Sequence, residues 1–215
     1  MGVGSAAITA ASVAYFDSEE FAPFVVEKLP LPLEEVWLAA LQVHVVAAAL
    51  AFPACLILLS SVVLRRARAF HRWLGRLTGV TVLLVLVPSG FYLSLFAKGG
   101  LAATLGFMLS GLIVVVAMVQ GIRTARAGRF AAHRRCALHV VAQLSVAVTS
   151  RAMLLGFDAA GVDPTLAYLV SLWLPVLASA AVVELIVPRP LQSPGRTHEA
   201  LSAARRSDLD DLVRV

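Results

Sequence analysis

The sequence predicts an all-α integral membrane bundle, and three observations carry that prediction. The 215 residues are 60% hydrophobic and only 14% charged, whereas a soluble domain is roughly half apolar and a quarter charged. The apolar residues gather into five runs, each long enough for the ~20 helical residues that cross a hydrocarbon core. Arginine and lysine fall almost entirely in alternate connections between those runs.

The five runs are segment A (36–64), B (74–96), C (101–122), D (136–157) and E (165–187). None alternates with the period of two of a membrane strand, and each is too long for one. In lipid a backbone must satisfy its polar groups within its own segment, which leaves the helix. Pro53, Pro88 and Pro175 fall inside A, B and E, so a kink is expected in each. Ahead of A, residues 2–16 are apolar but short and lack a basic n-region. They read as a short sixth helix rather than a cleaved signal peptide. Residues 17–35 follow as an external acidic loop containing Pro23, Pro30 and Pro32. The expected division is therefore 1–35 for the short apolar segment and external loop, 36–187 for the bundle, and 188–215 for a polar tail.

Charge then orients the bundle. Arg65, Arg66, Arg68, Arg72 and Arg76 lie at the facing ends of A and B, and Arg123, Arg126, Arg129, Arg134 and Arg135 between C and D. Arg189, Arg196, Arg205, Arg206 and Arg214 follow E. That puts 15 of the 18 Lys and Arg on one side, against Lys28 and Lys98 opposite and Arg151 within D. Positive charge near helix ends is retained in the cytoplasm. The expectation is a multi-pass protein of the cell (bacterial inner) membrane with its C-terminus cytoplasmic. The arginines form no basic stripe interleaved with aromatics, so nucleic acid is excluded as a partner despite the net charge of +5. The partner is the lipid bilayer; a membrane-protein partner or a second copy of the chain stays open. Cys55 and Cys136 supply neither a disulfide framework nor a metal knuckle.

Ionisable residues inside lipid are costly, and each invites a functional hypothesis. His44 in A and Arg151 in D lie at nearly equal depth, roughly 10 Å below the outer helix ends at 1.5 Å per residue. Arginine keeps its charge. Either the two share a polar pocket, or Arg151 snorkels outward while His44 bonds a backbone carbonyl. His71 and His133 both precede an arginine and sit at the cytoplasmic mouths of alternate helices. They could share a transition metal or a haem b, or act as interfacial residues while Arg72, Arg134 and neighbouring arginines hold lipid phosphates. His133 and Arg151, 18 residues apart, share one face of an ideal helix, expected to look into the bundle. His139 stacks above Gln143 at i+4 as polar glue between helices. Glu184 is expected to pair with Arg72, Arg76 or Arg135. His44 and His139 differ in depth by roughly 15 Å and cannot be axial partners of one haem.

No Ser-His-Asp order, phosphate loop, zinc helix or dinucleotide fingerprint is present, which leaves an enzymatic role undecided. At "HRWLGR" (71–76) and "HRRCALHVVAQLSVAVTSR" (133–151) the chain resembles a family of bacterial predicted multi-pass membrane proteins, domain of unknown function 2306. His44, His71, Arg72, Gly75, Arg76, His133, Arg134 and Arg151 match its pattern in order and approximate spacing, and Glu184 matches an acid in its last span. The likeness covers roughly residues 36–187. It departs at His139, where an arginine is usual, and at residues 51–53, where Ala-Phe-Pro replaces a Gly-Pro turn. The resemblance implies fold and location and brings no activity with it. The functional expectation is an inward-facing site of His44, His71, His133 and Arg151 that binds a quinone, a metal or a haem in a redox-linked or metal-handling role. The alternative is a non-catalytic assembly factor or small-solute transporter.

Overall fold

The computed structural model describes residue 31 and residues 33–187. The short N-terminal segment, most of the external loop and the polar tail lie outside the described residues, and with them the expected sixth helix. The described chain folds as α1 (Glu34–Leu59), α2 (Ser61–Arg66), α3 (Arg68–Thr81), a π-helical turn (Val82–Leu86), α4 (Val87–Ser94), α5 (Gly100–Arg126), α6 (Phe130–Ala159) and α7 (Pro164–Ile186). The stretch from α3 through the π turn to α4 is one continuous rod, Arg68–Ser94. Five helices are thus long and apolar enough to span a membrane. The chain is a multi-pass, all-α membrane protein.

The helices overrun the apolar segments, mostly at the arginine-rich end. Hydropathy marks the hydrocarbon slab, whereas the backbone still gains from hydrogen bonding through the headgroup region. Arg68–Thr81 is therefore helical well ahead of segment B, and α6 begins six residues before segment D. The stops are local. After α5, Gly128 takes a φ of 69°; its N–H donates to Ala125 O, and Arg129 N–H donates to Thr124 O. Gly161 (φ 67°) closes α6 in the same way, through Asp158 O and Phe157 O. Both are paired reverse bonds around a left-handed residue, which satisfy carbonyls a helix end would leave open. The start of α7 has Asp163 Oδ1 accepting from Leu166 N–H at 2.9 Å with Pro164 in the first turn.

Four rods close a ring. α1 packs on the α3–α4 rod, that rod on α5, α5 on α6, and α6 back on α1; α7 lies against α5 and α6. One core cluster joins Ala47, Ala51, Val82, Leu86, Val87 and Val114, and a second joins Phe52, Cys55, Ala117, Val140 and Val141. Small residues dominate where rods meet, because lipid supplies no hydrophobic drive and close approach must provide dispersion contact instead. A Cβ on Gly106 would lie 2.9 Å from Leu172 Cδ2, and one on Gly111 would lie 2.4 Å from Phe91 Cε1. The large apolar side chains point outward: Leu185 is 84% exposed and Leu155 74%. That inverts a water-soluble core and suits a lipid solvent.

Candidate functional site

Polar side chains gather at three levels of the bundle. At the arginine-rich end, His71 is the fourth residue of α3 and His133 the fourth of α6. Each is thus about 5 Å from its helix start at 1.5 Å per residue. Their rods occupy opposite corners of the four-rod ring, and the two rings lie within electrostatic range of each other. His133 Nδ1 is 2.9 Å from Gly121 O on α5. A carbonyl can only accept, so Nδ1 carries the proton and Nε2 keeps its lone pair. His71 Nδ1 is buried with no hydrogen-bond partner. Arg72, Arg76 and Arg134 are exposed around this mouth, and the Arg76 guanidinium sits 6.0 Å from the centre of the Trp73 ring.

Just inside it, Arg135 of α6 pairs with Glu184 of α7, and His139 Nε2 donates to the same carboxylate at 3.0 Å. Of the three arginines expected as partners of Glu184, Arg135 pairs with it; the i+4 spacing of Arg135 and His139 places both on the face turned to α7.

At mid-depth Gln143 is 3% exposed. Its Nε2 donates to Val176 O at 3.1 Å and to Ser179 Oγ at 3.0 Å, while its Oε1 accepts from Ser110 Oγ at 2.8 Å. One side chain thereby joins α5, α6 and α7.

Toward the opposite end, His44 of α1 meets the π turn. Its Nδ1 lies 3.1 Å from Leu86 O and 3.1 Å from Ser89 Oγ. Pro88 explains the turn: it lacks an N–H and its ring obstructs the carbonyl four residues back, so the helix widens ahead of it. Ser89 Oγ donates to Val85 O at 2.6 Å and to Leu86 O at 3.1 Å, re-engaging carbonyls at the defect. Gly90 leaves room for the ring, since a Cβ there would be 3.0 Å from His44 Cε1. Sequence reasoning found His44 and Pro88 but missed Ser89 and Gly90; the signal was the run Pro-Ser-Gly in the middle of an apolar span.

Arg151 departs from the inward aim expected of it. It is exposed, and its Nη1 donates to Ala147 O at 3.0 Å. The shared face with His133 does not stay interior because the neighbours of α6 change along its length: Ala147, Thr149, Ala152 and Leu155 are exposed as well. Nor does the guanidinium snorkel to the nearer helix end, since Ala147 lies one turn deeper. Its charge reaches the His44 ring. His44, His71, His133 and Arg151 therefore do not form one lining; they divide into an end site of His71 with His133 and a distant site of His44 with Arg151. Among the described residues no three His, Cys, Asp or Glu side chains cluster as a metal site.

Comparison with curated proteins gave no match, and neither did comparison with solved structures. A family model for a predicted membrane protein, DUF2306, matches residues 41–187, which take in four rods whole, most of α1 and the His44, His71, His133, Gln143, Arg151 and Glu184 groups. By that match over more than half its length, the chain belongs to the DUF2306 family of predicted membrane proteins.

Proposed function

We propose that this bundle is a cofactor-binding protein of the cell membrane, with the arginine-rich end in the cytoplasm and a haem or transition metal held between His71 and His133 in a redox-linked or metal-handling role. The observation that carries the reading is the His133 ring, bonded through Nδ1 to Gly121 O so that Nε2 of the neutral ring offers its lone pair, with His71 likewise four residues into its helix at the same end of the opposite rod. A histidine that ligates a metal is commonly oriented by such a carbonyl bond from its other ring nitrogen. Two protein ligands suit a haem, whose porphyrin supplies the other four; a structural zinc would ask for more. The exposed Arg72, Arg76 and Arg134 fit the carboxylates such a group carries.

The test is the visible spectrum and metal content of the full chain purified in detergent from haem-replete cells. A Soret band lost in both His71→Ala and His133→Ala, with helicity retained, is the expected result. A colourless, metal-free preparation would discard the reading and leave the assembly-factor or solute-transport alternative.

A further inference from the structure

The polar level at the arginine-poor end is independent of the His71–His133 end and contains a charge that no carboxylate among the described residues balances. Arg151 lies eight residues before the end of α6, about 12 Å along the helix axis, and cannot lose its proton. Among the described residues its guanidinium meets only a backbone carbonyl, Ala147 O. An uncompensated cation within a span is expensive, and such residues pair with other groups or mark a ligand path.

Antiparallel packing shows what stands beside it. Phe52 and Cys55 of α1 pack with Val140 and Val141 of α6. Eight residues farther toward the arginine-poor end, the same register sets His44 level with residues 148–149, within one turn of Arg151. The His44 ring is pinned through Nδ1 to Leu86 O and Ser89 Oγ, which leaves the Nε2 lone pair unused by the π turn. One level therefore holds a guanidinium fork and an oriented imidazole acceptor, and Arg151 opens it to lipid.

We infer that His44 and Arg151 form a binding site for the carboxyl group of an amphiphilic carboxylic acid that enters sideways from the bilayer. A carboxyl group has the complementary chemistry. The acid enters protonated; its proton passes to His44 Nε2, and the carboxylate left behind accepts from the imidazolium through one oxygen and from the Arg151 guanidinium through the other. The acid's negative charge offsets Arg151, and its tail stays in the lipid that the exposed face of α6 already meets. A free phosphate or a small carboxylate satisfies the head of the site but gains nothing from the open side.

Radiolabelled oleate, bound at equilibrium to the full chain in phosphatidylcholine nanodiscs near neutral pH, tests this. Saturable binding is expected, with oleyl alcohol and acetate competing at least ten-fold more weakly than unlabelled oleate. Arg151→Gln and His44→Gln should each weaken oleate at least ten-fold, while Arg126→Gln, on an exposed arginine at the opposite end, leaves it unchanged. Equal competition by oleyl alcohol overturns the inference, as does displacement by phosphatidylglycerol or ubiquinone at the concentrations at which oleate acts. Undiminished binding by Arg151→Gln overturns it too. If that variant does not fold, the competition series in the unaltered chain decides. None of these readouts depends on His71 or His133, so the two sites stand or fall separately.

Discussion

Gln143 shows what a single polar residue contributes inside an apolar bundle. Its amide is saturated by three partners on two other helices. A buried amide without partners is costly, whereas individual interhelical bonds in membranes average about 0.6 kcal/mol and reach about 1.7. Gln143→Leu should therefore lower stability by about 1–3 kcal/mol, combining three lost bonds with the stranded hydroxyl of Ser110 and the unpaired carbonyl of Val176, to which only the Ser179 hydroxyl still donates. Ser110→Ala, which removes one bond, should cost about 0.5–1 kcal/mol. Reversible unfolding in mixed micelles measures both; equal losses in the two variants would refute Gln143 as the centre of the junction. At this scale the sequence was half legible. The i+4 spacing put Arg135, His139 and Gln143 in one stripe on α6, and Glu184 was short-listed against Arg135. Which hydroxyls would meet Gln143 was not readable, because Ser110 and Ser179 lie 33 and 36 residues away and their meeting depends on how far three rods slide along one another.

Helices here are held by what they lack as much as by what they carry. Gly106 admits Leu172 and Gly111 admits Phe91, so an added methyl on either must displace a neighbour. Gly106→Ala should destabilise by about 1–3 kcal/mol, the usual range for overpacking a close crossing. Gly156 is also helical, but nothing lies within 4 Å of a Cβ placed there. Gly156→Ala should be neutral or gain up to about 1 kcal/mol through lost backbone freedom in the unfolded chain. Thermal unfolding of the two variants in one detergent separates them, and a loss at Gly156 as large as at Gly106 would contradict the crossing argument. The number of described spans and their cores were plain from the apolar runs. Their ends were not, because hydropathy reports where lipid is, and the helices continue into the interface on their own hydrogen bonds. The π turn was foreshadowed only as a kink at Pro88. Proline signals a missing donor; whether the helix answers by bending or by widening depends on Ser89 and His44, and His44 sits on a different rod.

For the molecule as a whole, the asymmetry of charge becomes an asymmetry of ends. Arg65, Arg66, Arg68, Arg72, Arg76, Arg123, Arg126, Arg129, Arg134 and Arg135 all sit at the end of the ring where α3 and α6 begin and α5 stops. The other end, among the described residues, carries Lys98, Arg151, Glu34, Glu35, Asp158 and Asp163. A guanidinium close to a helix end resists translocation, and carboxylates contribute little to that choice. A rod with basic residues at its own mouth therefore has one favoured direction, and the antiparallel ring makes every rod's preference agree. The break at Ala67 and the turn at Gly128 lie at the basic end, and Gly161 lies at the other. With Cys55 and Cys136 replaced by Ala, single cysteines at Ala67 and Gly128 should react with an impermeant maleimide only after the cells are opened. A cysteine at Gly161 should react in intact cells. Reversal of that pattern would invert the orientation and move the His71–His133 mouth to the exterior. Labelling of all three in intact cells would put the consecutive connections at Gly128 and Gly161 on one side, which a continuous α6 span between them cannot accommodate. Replacing Arg123, Arg126 and Arg129 together by Gln should leave the majority orientation intact, because the arginines at the mouths of α3 and α6 still oppose translocation; a mixed population after that change would show that the loop alone decides.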